Sequence, residues 1–488
     1  MAASFVGAAG SNHGAGYGRP VPAELSAIGV RAFRRALLGA AATTTFLYLV
    51  LADAQAQCVP DNPPAGATVT CTGFDNDGYS ASNAPITVEI LQGATIAGTG
   101  LSIAGSGDVN IDNSGAIQGS SGTAVRIDGV AGFTKVFENH TGGSLNGNFL
   151  GSGDGRIVIQ QNGNFNAGVT ITGNGVNDLY LFASRGISGP VNITGSDNAI
   201  DNAGFFNNGL TLVATANNLI VNRAGAQLSG TFRVTGDGQN SIFNDGTINN
   251  GIAIVSNGEV FVANTGTISG NIEDTGSAQD FIDNTGTINN SILLHGGDDF
   301  VVNRSGVVNL LAPLSGPGIQ GAIETGEGMD VLRMLDGVIN GQVLMGSDAD
   351  FATVSGGLIS QAVQMQSGAD LFFWNGGQIG ALDMGIDDDV ALFSQLAPSN
   401  MANFMPINGG LGDDRLYFGA TRGEDVSRFT NWELFELDNG STLTFSNFST
   451  LTLGDSGTGT GELYIDETST VFAGNGTHTV APLPPASW

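Results

Sequence analysis

One lysine, two cysteines and four histidines are all that 488 residues contain of those types, and each scarcity closes off a class of chemistry. Lys135 is the single lysine, and Lys+Arg total 15 against 45 Asp+Glu, for a net charge of −30. Such a chain has no basic face with which to meet phosphates, so nucleic acid is not an expected partner. Helical periodicity is missing: apolar runs are short, β-branched or aromatic, and broken by Gly, Asn and Asp. Against these absences stand 76 glycines and a hydrophobic content of 41%, which together indicate many turns around a sizeable core and not a disordered chain.

The N-terminus reads as an address. "RAFRR" (31–35) supplies positive charge, "ALLGAAATTTFLYLVLA" (36–52) an apolar run and "AQA" (54–56) a small-residue cleavage site. Export with a mature start near Gln57 is expected. A transmembrane anchor is the competing reading, but the run is short and interrupted by threonines. The first thirty residues fit an extended leader or an upstream start codon. Cys58 and Cys71, in "CVPDNPPAGATVTC", suggest one small disulfide loop in an exported protein. A lipid anchor on Cys58 and a metal site are the alternatives.

A repeat near twenty residues dominates the rest. The glycine of "NTG" recurs at Gly204, Gly225, Gly246, Gly266, Gly286, Gly306, Gly337, Gly357 and Gly377, and more loosely upstream at Gly115, Gly143, Gly163 and Gly186. Two residues after it stand Ile248, Ile268, Ile288, Val308, Ile339, Ile359 and Ile379. Four before it stand Ile242, Val262, Ile282, Val302 and Phe373, and six after it Ile252, Ile272, Ile292, Val343 and Val363. A unit this short encloses no core alone, so its columns must be buried by stacking. The expected fold is all-β, a right-handed parallel β-helix with coils of about 20 residues. About eighteen coils would make a rod about 85 Å long. Asn113, Asn202, Asn244, Asn264, Asn284 and Asn375 precede the glycine by two positions, placed to form an amide ladder from coil to coil. The glycine is expected to supply positive φ at the turn.

Acids recur as well: Glu259, Asp280, Asp299, Asp330, Asp350 and Asp370 each stand just before an apolar wall. Aspartate caps tight turns, which explains the pattern without a ligand. Carboxylates in register would otherwise call for calcium, although the tandem nonapeptide calcium pattern is only fragmentary here. No metal ligand is assigned and no cofactor is expected.

The units "NTGTI" (264–268) and "GGDDFVVNRSG" (296–306), the signal-like segment, the cysteine lead-in and "RFTNWELFELDNGSTLTFSNFSTLTL" (428–453) resemble the passenger domains of bacterial autotransporters of type V secretion. That resemblance covers most of the chain. It implies a β-helical rod exported through the inner membrane and displayed at the outer-membrane surface or released, often as an adhesin. It divides the chain into a leader and signal peptide (1–56), a disulfide-containing lead-in (57–84), a β-helix passenger (85–427), a stem that caps it (428–478) and a Pro-rich tail (479–488). It also implies an outer-membrane β-barrel translocator as partner. No barrel follows here, and "PLPPAS" before Trp488 cannot be a barrel strand because prolines remove ladder donors; truncation, a separate chain or release would each account for this.

Enzymatic motifs are thin. "GDSG" (454–457) matches the surroundings of a serine nucleophile, but Ser456 would need an aspartate and one of His13, His140, His295 or His478 within reach. "HGGDD" (295–299) resembles the acids of β-helical polysaccharide hydrolases, yet Asp298 and Asp299 are chain neighbours in a pattern that nearly every coil repeats. "GLGDD" and "GTGTGEL" sit in no strand-glycine-helix unit. The expectation is a non-enzymatic adhesin or surface structural protein with host-cell or matrix ligands. A polysaccharide-active enzyme and a secreted calcium-binding structural protein are the alternatives. Binding surfaces are expected on the outer walls, on the loops 312–322 and 395–409, and around "DLFFWNGG" (370–377), where Phe372, Phe373 and Trp374 cannot all face outward.

Overall fold

Many wall strands carry a period-two alternation, and one example serves for them. In Val260–Asn264, Val260, Val262 and Asn264 are buried while Phe261 and Ala263 stay half-exposed. Strands this short gain little alone, but each pairs in parallel with its equivalent in the coil before and the coil after. The computed structural model describes residues 57–309, 321–401, 406–446, 449–455, 461–473 and 479–482. The leader and signal segment, 1–56, lie outside the described residues.

The result is a β-solenoid of about 18 parallel stacked coils. A coil has three walls. In one stretch the first wall runs Asn240–Asn244, Val260–Asn264 and Asp280–Asn284. The second runs Thr247–Ile248, Thr267–Ile268 and Thr287–Ile288, and the third Ile252–Val255, Ile272–Asp274 and Ile292–Leu293. The isoleucine columns follow from this register. Ile248, Ile268, Ile288, Val308, Ile339, Ile359 and Ile379 are consecutive pairing partners, and so are Ile252, Ile272, Ile292, Ile323, Val343 and Val363. All belong to one continuous buried core.

Stacking extends past both expected boundaries of the passenger. Ala67–Cys71, inside the lead-in, already pairs in parallel with Ile86–Ile90. At the other end Leu434–Asp438, inside the stem, pairs with Arg415–Gly419 below and Glu462–Ile465 above. The C-terminal coils have an aromatic core of Phe418, Phe429 and Phe435, and the buried Trp432 donates its indole N–H to the carbonyl of Ile407 at 3.1 Å. At the N-terminal end Cys58–Val59 lies antiparallel on Ala67–Cys71, and Cys58 is disulfide-bonded to Cys71. That short strand covers part of an edge that would otherwise be open to pairing with another chain.

The inward column of the first wall differs from a fixed count back from the glycine. Ile242, Val262 and Ile282 do stack, but the next partner is Val301; Val302 pairs with Asp283 in the outward column. Asn303 precedes Gly306 by three residues, whereas Asn284 precedes Gly286 by two, and that extra residue moves the count by one. Phe373 is displaced for the same kind of reason: Phe372 and Trp374 are core, and Phe373 pairs with Thr353 on the outer side.

The glycine's role also divides. Gly225, Gly337, Gly357 and Gly377 do take positive φ. Gly246, Gly266 and Gly286 do not; each lies so close to the coil below that an added Cβ would overlap a backbone carbonyl oxygen. Close approach, and not the left-handed conformation, demands glycine there.

Lys135 is fully buried, and its ammonium donates to the carbonyls of Gly105 at 2.9 Å and Gly107 at 2.6 Å. Burial pulls its pKa below the ordinary lysine value, against the opposing pull of Asp108 and Asp128. Lys135→Ala should lower stability by about 3 kcal/mol, from the emptied volume plus two carbonyls left without donors. Lys135→Met keeps the volume, so the difference in urea midpoint between the two variants isolates the hydrogen bonds.

Candidate functional site

At the corner that opens the first wall, polar side chains are stacked inside the rod. In coil order the column reads Lys135, Ile157, Asn177, Asn198, Asn218, Asn240, Val260, Asp280. Through the amide stretch each Nδ2 donates to the next Oδ1: Asn177 to Asn198 at 3.0 Å, Asn198 to Asn218 at 3.0 Å, Asn218 to Asn240 at 2.7 Å. From Asp280 onward the amides give way to carboxyls. The backbone N–H of Val260 donates to Asp280, that of Asp280 to Asp299, and so on through Asp330, Asp350, Asp370, Asp389 and Asp414, at 2.8 to 3.2 Å. The N–H of Asp414 in turn donates to Glu433 at 2.7 Å.

The aspartates from Asp280 to Asp414 are 0 to 2% exposed. One oxygen of each accepts the N–H; the other oxygen of Asp299, Asp330, Asp350, Asp370, Asp389 and Asp414 is buried with no hydrogen-bond partner. Burial raises their pKa most, the accepted N–H opposes it, and neighbouring carboxylates add to the rise in every one of the seven aspartates. Asp330 is pushed up to about 6, Asp370 and Asp414 to about 7, Asp280, Asp350 and Asp389 to about 8 and Asp299 to about 9. For Asp280 the cause after burial is Asp274.

A second amide ladder runs at the corner that closes the first wall. Asn202, Asn222, Asn244, Asn264, Asn284 and Asn303 are linked Nδ2 to Oδ1 at 2.7 to 2.9 Å, and Asn113, Asn139 and Gln161 form a shorter run below. Asn375 is not part of it: Met334, Val354 and Trp374 continue that column, and Asn375 is exposed one residue later. Glu259 is likewise exposed, with Val260 in the inward position. Spacing from the glycine overlooked Asn139, Gln161, Asn222 and Asn303 at this corner, the whole ladder from Asn177 to Asn240 at the other, and Asp389 and Asp414. The last two carry the same acid-before-wall pattern in "GIDDDV" and "GLGDDR", obscured by steps of 19 and 25 residues.

The enzyme candidates are not brought together. Asp299 is in the buried column while Asp298 and His295 face solvent, so the neighbouring acids cannot flank one glycosidic bond. Ser456 and His478 lie outside the described residues, as do 312–320 and 402–405 of the two loops. The column gives no calcium cage either. Among the described residues, the one group of three or more His, Cys, Asp or Glu side chains near enough to share an ion is Asp112, Glu138 and His140. It sits on the outer surface, where His140 Nε2 is 3.4 Å from Asp112 and 3.7 Å from Glu138.

Outside the first wall runs an apolar stripe in strict register. Phe261, Phe281, Phe300, Val331, Phe351, Leu371 and Val390 are consecutive pairing partners. Leu371 is exposed and the others half-exposed. Phe261, Phe281 and Phe300 stack with centroids 5.2 and 5.0 Å apart and planes within 9° of parallel, so each ring face is covered by its neighbour and the edges meet solvent. No helix among the described residues is long and apolar enough to cross a membrane. Comparison with protein-family models, with curated proteins and with solved structures finds no match to this chain.

Proposed function

We propose that this chain is an exported rod of the autotransporter-passenger kind, displayed at or released from a bacterial surface, and that it works as an adhesin or surface structural element without turnover. The observation that carries this reading is the outer stripe from Phe261 to Val390. Seven coils keep an apolar residue on the solvent side of the first wall, where its remaining exposed surface is available for a partner to cover. The occupant favoured is an extended protein ligand of a cell surface or matrix, since an apolar stripe ordered along a rod complements apolar side chains and offers few polar groups to sugar hydroxyls.

The test uses the full chain. Wild type is expected to bind immobilised cells or matrix protein, and a Phe351→Ser/Leu371→Ser double variant with unchanged circular dichroism to bind at least about tenfold more weakly. Equal binding by the two proteins would remove the stripe from the reading. Release of reducing sugar from pectin-like polymers would replace it with the polysaccharide-active alternative.

A further inference from the structure

We infer that the column from Asp299 to Asp414 is a proton-binding element: in the folded rod its carboxyls hold protons that the unfolded chain gives up, and through them the rod's stability answers to pH. The inference stands apart from any surface role.

Geometry comes first. Each carboxyl offers one oxygen to the N–H of the coil before it, and the other oxygen is buried with no partner. An unpartnered buried hydroxyl is costly, but an unpartnered buried charge is far more so. Successive carboxyls are also one coil apart, about 4.8 Å by strand spacing, where like charges repel strongly at low dielectric.

The groups that act on the column do not offset that repulsion. They are Asp274 on Asp280 and Asp299; Asp298 and Asp348 on Asp330; Asp348 on Asp350; Asp387 on Asp370 and Asp389; and Asp388, Glu433 and Asp455 on Asp414. Thr325, whose hydroxyl donates to the Met345 carbonyl at 2.6 Å, opposes the rise at Asp330. Every titratable group in that set is an acid.

The molecule contains its own control. Earlier in the same column the same position is filled by Asn177, Asn198, Asn218 and Asn240. Asparagine is the neutral isostere of a protonated aspartate, so one corner of one solenoid is built first from amides and then from groups that match them only when they hold a proton.

The direction of the pH effect follows by linkage. Unfolded aspartates titrate near 4, whereas the folded column holds its protons into the range from about 6 to about 9. Between those limits the folded chain binds more protons than the unfolded one, so stability is complete in acid and is lost as pH rises through the folded values.

The full chain is expected to lose about 10 °C or more in Tm between about pH 5 and about pH 9. The Asp350→Asn/Asp370→Asn/Asp389→Asn variant should show a much smaller loss and a higher Tm than wild type at the alkaline end. A Tm that is flat or rises with pH, or a variant with undiminished pH dependence, would overturn the inference. Should the variant fail to fold, wild type still decides. Denaturing it in unbuffered solution near pH 6.5 should release several protons per chain, and no release or net uptake would overturn the proposal. So would recovery of the acid Tm at alkaline pH on adding calcium, since the column would then be a cation site.

Discussion

Asn264→Ala is expected to lower the unfolding free energy by about 3 kcal/mol, read as a shift of the urea midpoint. Asn264 accepts from Asn244 and donates to Asn284, both at 2.8 Å, and is 1% exposed. Removing it strands a buried donor on one side and a buried acceptor on the other, each worth about 1–3 kcal/mol. The matching control is Asn375→Ala. Asn375 stands at the same distance before its glycine but is exposed, and its replacement should change stability by less than about 0.5 kcal/mol. Equal costs at the two positions would mean that the ladder contributes nothing beyond the turn.

Gly286→Ala should cost at least as much, about 3 kcal/mol or more. The N–H of Thr287 donates to the carbonyl of Gly266 at 2.8 Å, and an alanine Cβ at 286 would overlap that same oxygen. The obstruction is backbone in the coil below, which no rotamer can relieve. The coil must lift, and every pair bonded through that corner lengthens with it. Gly225→Ala separates this effect from backbone conformation: Gly225 has φ of +81° and nothing within 4 Å of an added Cβ, so only left-handed strain of about 1–2 kcal/mol is expected. Thermal melts of the two variants side by side distinguish crowding from strain.

Much of this architecture is legible along the chain because a stacked coil imposes the same demands on each repeat. Ile268 is flanked in space by Ile248 and Ile288, and only a β-branched residue of like volume packs well between them. The amide at Asn264 must likewise meet amides on both sides. Period, wall, corner and ladder are therefore all visible as spacing from one glycine wherever the coils are of equal length.

What spacing could not reveal is which residues share a column once coil length changes. Asp280 meets Asp299 after 19 residues, Asp299 meets Asp330 after 31 and Asp389 meets Asp414 after 25, so the acids look like scattered turn residues until the coils are laid on one another. The alternation from Val301 to Val302, and the exclusion of Asn375 and Glu259 from the columns they seemed to join, were settled in the same way. Local sequence dictates that a residue faces in or out relative to its immediate neighbours. Whether an inward polar group is buried, paired or left with an orphaned oxygen depends on the coils above and below it, and those contacts exist only in the stack.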